Sequence, residues 1–225
     1  MPTGGDNIAK WWRRADEIDR AEGALAYVRY RQVMEVFAKR FAVPLDRVTA
    51  AFVALSPNTD YLSNLRSLVS VLDGVTRGAD QQSIVVSTYN HNRDRAIRYV
   101  TGEAQFVAPN RGRKILSFYD NILYPATSPR VTVDGHMVAI WRDQELTMKE
   151  ATVRPGEYDQ IEAEVRRLAF YHHLVPCEVQ AILWFARKRV LGIKFEAQLD
   201  LFADPADKWG TLRLAHDLQP YGSKA

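Results

Sequence analysis

Cysteine is almost missing: Cys177 is the only one in 225 residues. An internal disulfide framework and a four-cysteine metal or iron–sulfur site are therefore excluded, and a reducing compartment suits the chain. Long apolar runs are missing as well. Ala181–Ala186 spans only six residues, against the roughly 20 that a membrane helix requires. Arg13-Arg14 leads into Ala15-Asp16-Glu17 rather than an apolar signal core, so no secretory leader is expected and the cytoplasm is the expected location. Excess charge is small, at +3, and by itself says little about partners. No internal repeat is visible. His172 and His173 are adjacent, so a helix points them in different directions, which argues against a metal site. Pro176-Cys177 lacks the second cysteine and the His-x-Glu of a zinc deaminase. No cofactor is expected.

What is present is a 47% hydrophobic chain, enough for a sizeable core arranged as one large domain or two helical lobes. Arginine dominates lysine, 22 to 8. The basic residues are unevenly spread: between His91 and Lys114 there are six Arg or Lys against two acids. Such a cluster suits a surface that faces a nucleic-acid backbone, and equally a solvated helix face.

Apolar residues at three- and four-residue spacing predict a mainly α chain. Helices are expected over 8–21 and 24–42, separated by Gly23, then over 45–55, 62–72 and 89–102. Further helices are expected around Ile115–Ile122, after Asp134, and over 158–174 and 176–190. Alternation at Ile193, Phe195, Ala197, Leu199 and Leu201 favours a strand, with Val131–Val133 as its best available partner. The polar tail that follows has no assigned role.

Two stretches carry chemistry. In the first, Pro109, Asn110, Arg111 and Gly112 form a short turn that opens onto a helix beginning near Arg113 and Lys114. Free N–H groups and positive charge at such a helix start can bind phosphate. In the second, Val131-Thr132-Val133 leads to Asp134, which precedes the helical pattern of Met137, Val138 and Trp141 and is a candidate N-cap.

Ala108 to Lys114, followed by Val133-Asp134-Gly135-His136-Met137, resembles the signature of the helix-hairpin-helix DNA glycosylases. That signature is Leu-Pro-Gly-Val-Gly-x-Lys, a helix, then Val-Asp-x-His. Asn110 replaces its first glycine and Arg111 its hydrophobic residue. Leu55-Ser56-Pro57-Asn58-Thr59-Asp60 is similar to the family's Leu-Ser-x-Gln-x-Thr-Asp loop, one residue shorter. Thr88 to Ile97 is similar to its Leu-Tyr-Asn-x-Lys-Ala helix. Lys114–Asn121 with Gln180-Ala181-Ile182-x-Trp184 resembles a phage-associated branch linked to hypermodified DNA bases.

The resemblance implies a two-lobed helical glycosylase-like fold over the whole chain. The central lobe would cover about 55–141 and contain the hairpin; the second would come from about 8–54 and 157–191, with 192–225 as an extension. It implies Asp134 and Lys114 as catalytic residues, the first stabilising charge at the sugar and the second acting as a nucleophilic amine or a phosphate contact. Pro109, Asn110, Arg111, Gly112 and Arg113 would contact the DNA backbone. Ser56, Asn58, Tyr61, Phe118, Tyr119, Gln180 and Trp184 would line a pocket for a flipped base.

The implied activity is removal of a modified base from DNA, with a bulky or hypermodified pyrimidine the favoured substrate and anti-phage defence one setting for it. Associated strand cleavage would depend on Lys114. DNA is the expected partner, the chain is expected to act as a monomer, and the iron–sulfur cluster of some family members has no ligands here. Two alternatives stay open: a same-fold enzyme of base hypermodification, and a non-enzymatic DNA-binding module.

Overall fold

A computed structural model describes residues 3–106, 112–147, 150–192 and 218–221. Among them the regular structure is helical. In chain order come α1 (Gly4–Arg14), α2 (Glu17–Phe41), α3 (Leu45–Leu55), α4 (Tyr61–Thr76) and a 3-10 turn at Gln81–Ser83. Then follow α5 (Asn90–Thr101), α6 (Arg113–Leu123), α7 (Gly135–Arg142), α8 (Glu157–His172) and α9 (Pro176–Val190). The mainly α expectation holds. Val131–Val133 is not a strand, and its expected partner, Ile193–Leu201, lies outside the described residues, as do Pro109, Asn110 and Arg111.

Local chemistry sets the helix starts. Thr3 and Asp6 form a capping box, Thr3 N–H donating to Asp6 Oδ2 at 2.8 Å and Asp6 N–H to Thr3 Oγ1 at 3.3 Å. The first helix therefore begins earlier than its apolar periodicity alone predicts. Its end also moves. Asp16 and Asp19 exchange backbone-to-carboxylate bonds of 3.1 and 2.8 Å, starting α2 there, so Gly23 lies within a continuous helix rather than between two.

Gly23 serves packing instead of a break. A Cβ at this position would lie 2.5 Å from the backbone N and Cα of Ile182 on α9, and backbone cannot swing aside as a flexible side chain can. Gly23→Ala is expected to lower stability by about 1–3 kcal/mol through overpacking, outweighing the roughly 1 kcal/mol that alanine gains in helix propensity. Thermal denaturation checks this, and a raised midpoint would show that the contact is not tight.

The chain divides into two compact units, Met1–Arg29 with Gly112–Lys194, and Tyr30–Arg111 with Phe195–Ala225. The divisions fall inside α2 and ahead of α6, not near residues 55 and 141. In the first unit α1, α7, α8 and α9 surround a core of Ile8, Trp11, Val133, Met137, Ile161 and Leu183, among others. Because Val131, Val133 and Met137 belong to that core, the segment carrying Asp134 is held with α8 and α9. A buried polar chain supports it from beneath: Tyr27 Oη donates to Gln180 Oε1 at 2.7 Å and lies 3.1 Å from Thr132 Oγ1. Asn121 Nδ2 donates to the same Thr132 oxygen at 3.1 Å.

In the second unit α3, α4 and α5 pack on one another around Phe52, Leu55, Leu68, Leu72, Ile97 and Tyr99, all buried. The short described piece of the tail joins this unit. Leu218 is buried, its carbonyl accepts from Arg40 Nη1 at 3.0 Å, and Tyr221 N–H donates to Ser70 Oγ at 2.8 Å.

Candidate functional site

Asp134 is the N-cap of α7, extended in backbone, its Oδ1 accepting from Met137 N–H at 2.9 Å. An N-cap carboxylate satisfies an orphan helix donor and lies in the positive field of the helix start. It is half-buried. Among the described residues no further hydrogen bond reaches this carboxylate, which leaves its second oxygen available to a developing positive charge.

Cations gather around it. His136, Arg187 and Lys188 each interact electrostatically with Asp134, and Lys114 acts on His136. Arg187 Nη1 lies 2.9 Å from His136 Nδ1. A guanidinium can only donate, so Nδ1 is the acceptor and the imidazole proton sits on Nε2. Burial lowers the pKa of His136, with Lys188, Arg187 and Lys114 adding to that effect and Asp134 opposing it, consistent with a neutral ring.

Trp184 forms the apolar wall. Lys188 Nζ stands 3.8 Å from its ring centroid, and the His136 ring meets it edge-on at 6.1 Å. Burial pushes the Lys188 ammonium down to about 8, against the pull of Asp134. The indole N–H of Trp184 is buried and has no hydrogen-bond partner among the described residues. Asp134, His136, Trp184, Arg187 and Lys188 thus form one cluster within the first unit.

The other expected site residues are distributed as follows. Gly112 is the N-cap of α6, exposed, with no side-chain cap, and Lys114 is exposed on its first turn. This is the helix start that the sequence predicts. Arg113 is committed elsewhere: its guanidinium pairs with Asp159 and Glu162 and stacks on Tyr158 at 4.2 Å. Buried Glu162 explains the choice, since a carboxylate removed from water requires a cation. Phe118 and Tyr119 are half-buried on α6, Phe118 edge-on to Tyr27 at 6.3 Å. Gln180 is buried in the polar chain under the site, its carbonyl oxygen already occupied.

Ser56, Asn58 and Tyr61 belong to the second unit. Ser56 Oγ caps α3 by donating to the Val53 carbonyl at 2.9 Å. Asn58 adopts φ 57°, a left-handed conformation that Asn tolerates better than most residues, and its amide donates to Tyr89 Oη at 2.8 Å. The Tyr61 ring is edge-on to Tyr30 and Phe52, at 5.0 and 6.1 Å. Burial, with a smaller contribution from Tyr30, holds its phenol well above the usual range. Cys177 is equally unsuited to react at neutral pH, because burial pushes its thiol up to about 12.

Arg187 and Lys188 were not singled out from the sequence, although a signal exists. Gln180 and Trp184 share a face at i and i+4, and one more such step along α9 reaches Lys188.

Among the described residues no helix is long and apolar enough to cross a membrane. No curated protein and no solved structure matches the chain. Residues 3–190, most of its length, match the pattern of a family of unknown function, DUF7178. The protein belongs to that family.

Proposed function

We propose that the protein is a DNA N-glycosylase that extrudes a modified base and cleaves its bond to the sugar, leaving an abasic site. The observation that carries this reading is the position of Asp134: a half-buried carboxylate, fixed by Met137 N–H at a helix start, in the same cluster as Trp184 and Lys188. Cleavage of a base–sugar bond develops oxocarbenium character, and a fixed anion stabilises it without reorganising at the moment of reaction. The base has to leave the stack to expose that bond. Trp184, Phe118 and Tyr119 are the aromatic faces of this unit suited to receive it. The start of α6, with the N–H groups after Gly112 and the exposed Lys114, suits a phosphate, and Pro109, Asn110 and Arg111 precede it directly in the chain.

An enlarged pyrimidine is the favoured substrate, and the test is direct. The protein is incubated with DNA containing glycosylated or otherwise extended pyrimidines and with unmodified DNA, and abasic sites are then assayed. The expected result is abasic sites in the modified DNA only. Equal release of uracil or oxidised purines would replace the substrate assignment with ordinary repair. Tight binding without abasic sites in any DNA would replace the glycosylase with a binding module.

A further inference from the structure

The geometry points to Lys188, rather than Lys114, as the reactive amine of this site, condensing with the aldehyde of an abasic deoxyribose. The inference rests on the DNA reading but not on base release, because the sugar aldehyde is offered ready-made.

Three observations place the amine. Lys188 lies on α9 four residues after Trp184, and its Nζ sits over the indole at 3.8 Å. It shares the neighbourhood of Asp134, which acts on it, on His136 and on Arg187. The adjoining Trp184 N–H is buried without a hydrogen-bond partner among the described residues, an open donor for a ligand oxygen beside the amine. Lys114, by contrast, is exposed on the first turn of α6, the position of a phosphate contact.

An amine attacks only when neutral. Two effects compete at Lys188: the indole face and Asp134 favour the ammonium, while burial disfavours it. Burial wins, bringing the group to about 8, so neutral amine is available near physiological pH. Among the described residues Asp134 acts on Lys188, Lys188 acts with Arg187 and Lys114 on His136, and Glu145 acts on Arg187. In the condensation the Nζ lone pair adds to C1′ of the ring-opened sugar. The carbonyl oxygen departs as water, carrying one proton from the amine and one from solvent, and leaves a protonated C1′=Nζ imine. Borohydride adds hydride to that carbon and fixes the link as a secondary amine.

The experiment uses the full chain and a duplex with one preformed abasic site, trapped with borohydride and resolved on a denaturing gel. Binding to the same duplex is measured separately. A covalent adduct is expected with wild type and, at protein concentrations that offset any weaker phosphate contact and saturate the duplex, with Lys114→Gln, and its loss to background with Lys188→Gln and Lys188→Arg. Lys188→Arg keeps the charge and the stacking on Trp184, so an unchanged thermal midpoint shows that this loss is not unfolding. Peptide mapping should place the adduct on Lys188, and its yield should rise with pH through about 8. An adduct that survives Lys188→Arg, or maps to Lys114, overturns the assignment. Wild-type protein that binds the duplex without being trapped overturns it and leaves the DNA reading standing, whereas a duplex neither bound nor trapped overturns both.

Discussion

Asp134→Asn is expected to abolish base release, by at least about 100-fold, while DNA affinity stays within a few-fold. The carboxamide nearly preserves shape, and its oxygen can still accept from Met137 N–H, the bond that caps α7 at 2.9 Å. Only the charge is deleted. Removing one preorganised electrostatic partner of a charged transition state costs about 100- to 1000-fold in rate, whereas a cap retained in neutral form costs stability only modestly. The measurement is single-turnover base release beside equilibrium binding on the same DNA. Wild-type release by Asp134→Asn would end the glycosylase assignment. A matched loss of binding and release would place Asp134 in DNA contact or folding instead.

The largest stability effect is expected at Glu157, a residue remote from any proposed chemistry. Arg142 donates to its two carboxylate oxygens at 2.8 and 2.7 Å, and Arg154 N–H donates at 2.8 Å. Glu157 is buried and the Arg142 side chain is only 10% exposed. Truncation to alanine would leave a guanidinium buried without its counter-charge, a defect that costs about 3–5 kcal/mol. Burial tends to raise the Glu157 pKa, but the bonds from Arg142 and Arg154 outweigh it and the folded value is lowered. The unfolded state therefore binds the proton first as pH falls. The contribution of Glu157 is complete above the unfolded glutamate pKa, about 4.3, and is lost as pH drops through the lower folded value. Denaturant titrations of wild type and Glu157→Ala at neutral pH and at progressively lower pH check both parts. The gap between the two proteins should narrow on acidification. A gap below about 1 kcal/mol at neutral pH would show that the pair is effectively solvated.

Helix positions were largely legible in the sequence, for a local reason. Apolar spacing at 3.6 residues reports which face a segment buries, so α3, α6 and α9 lie close to where their residues place them. Asp134 as an N-cap was legible too, because capping depends on residues within one turn of each other. Gly23 shows where such reasoning stops: glycine inside a helical pattern signals a break when read locally, yet here its lack of a Cβ admits the backbone of Ile182, a neighbour 159 residues away in sequence. Arg113 makes the same point. Beside a glycine turn it resembles a phosphate ligand, and the carboxylates of Asp159 and Glu162 that take its guanidinium come from a helix more than 40 residues on.

The sequence by itself determined the helical class, the helix start near Arg113 and the N-cap position of Asp134. Each of these follows from groups that meet within a turn or two of chain. Tertiary structure decided which charges remain for function. It paired Arg113 with Asp159 and Glu162, buried Gln180, tied Arg187 to His136, and brought the Trp184–Lys188 pair of α9 into the field of Asp134. Burial and pairing between distant segments govern whether a cation is a scaffold, a ligand or a neutral amine, because desolvation and nearby charge set its protonation. Neither is encoded in the spacing of residues along one helix.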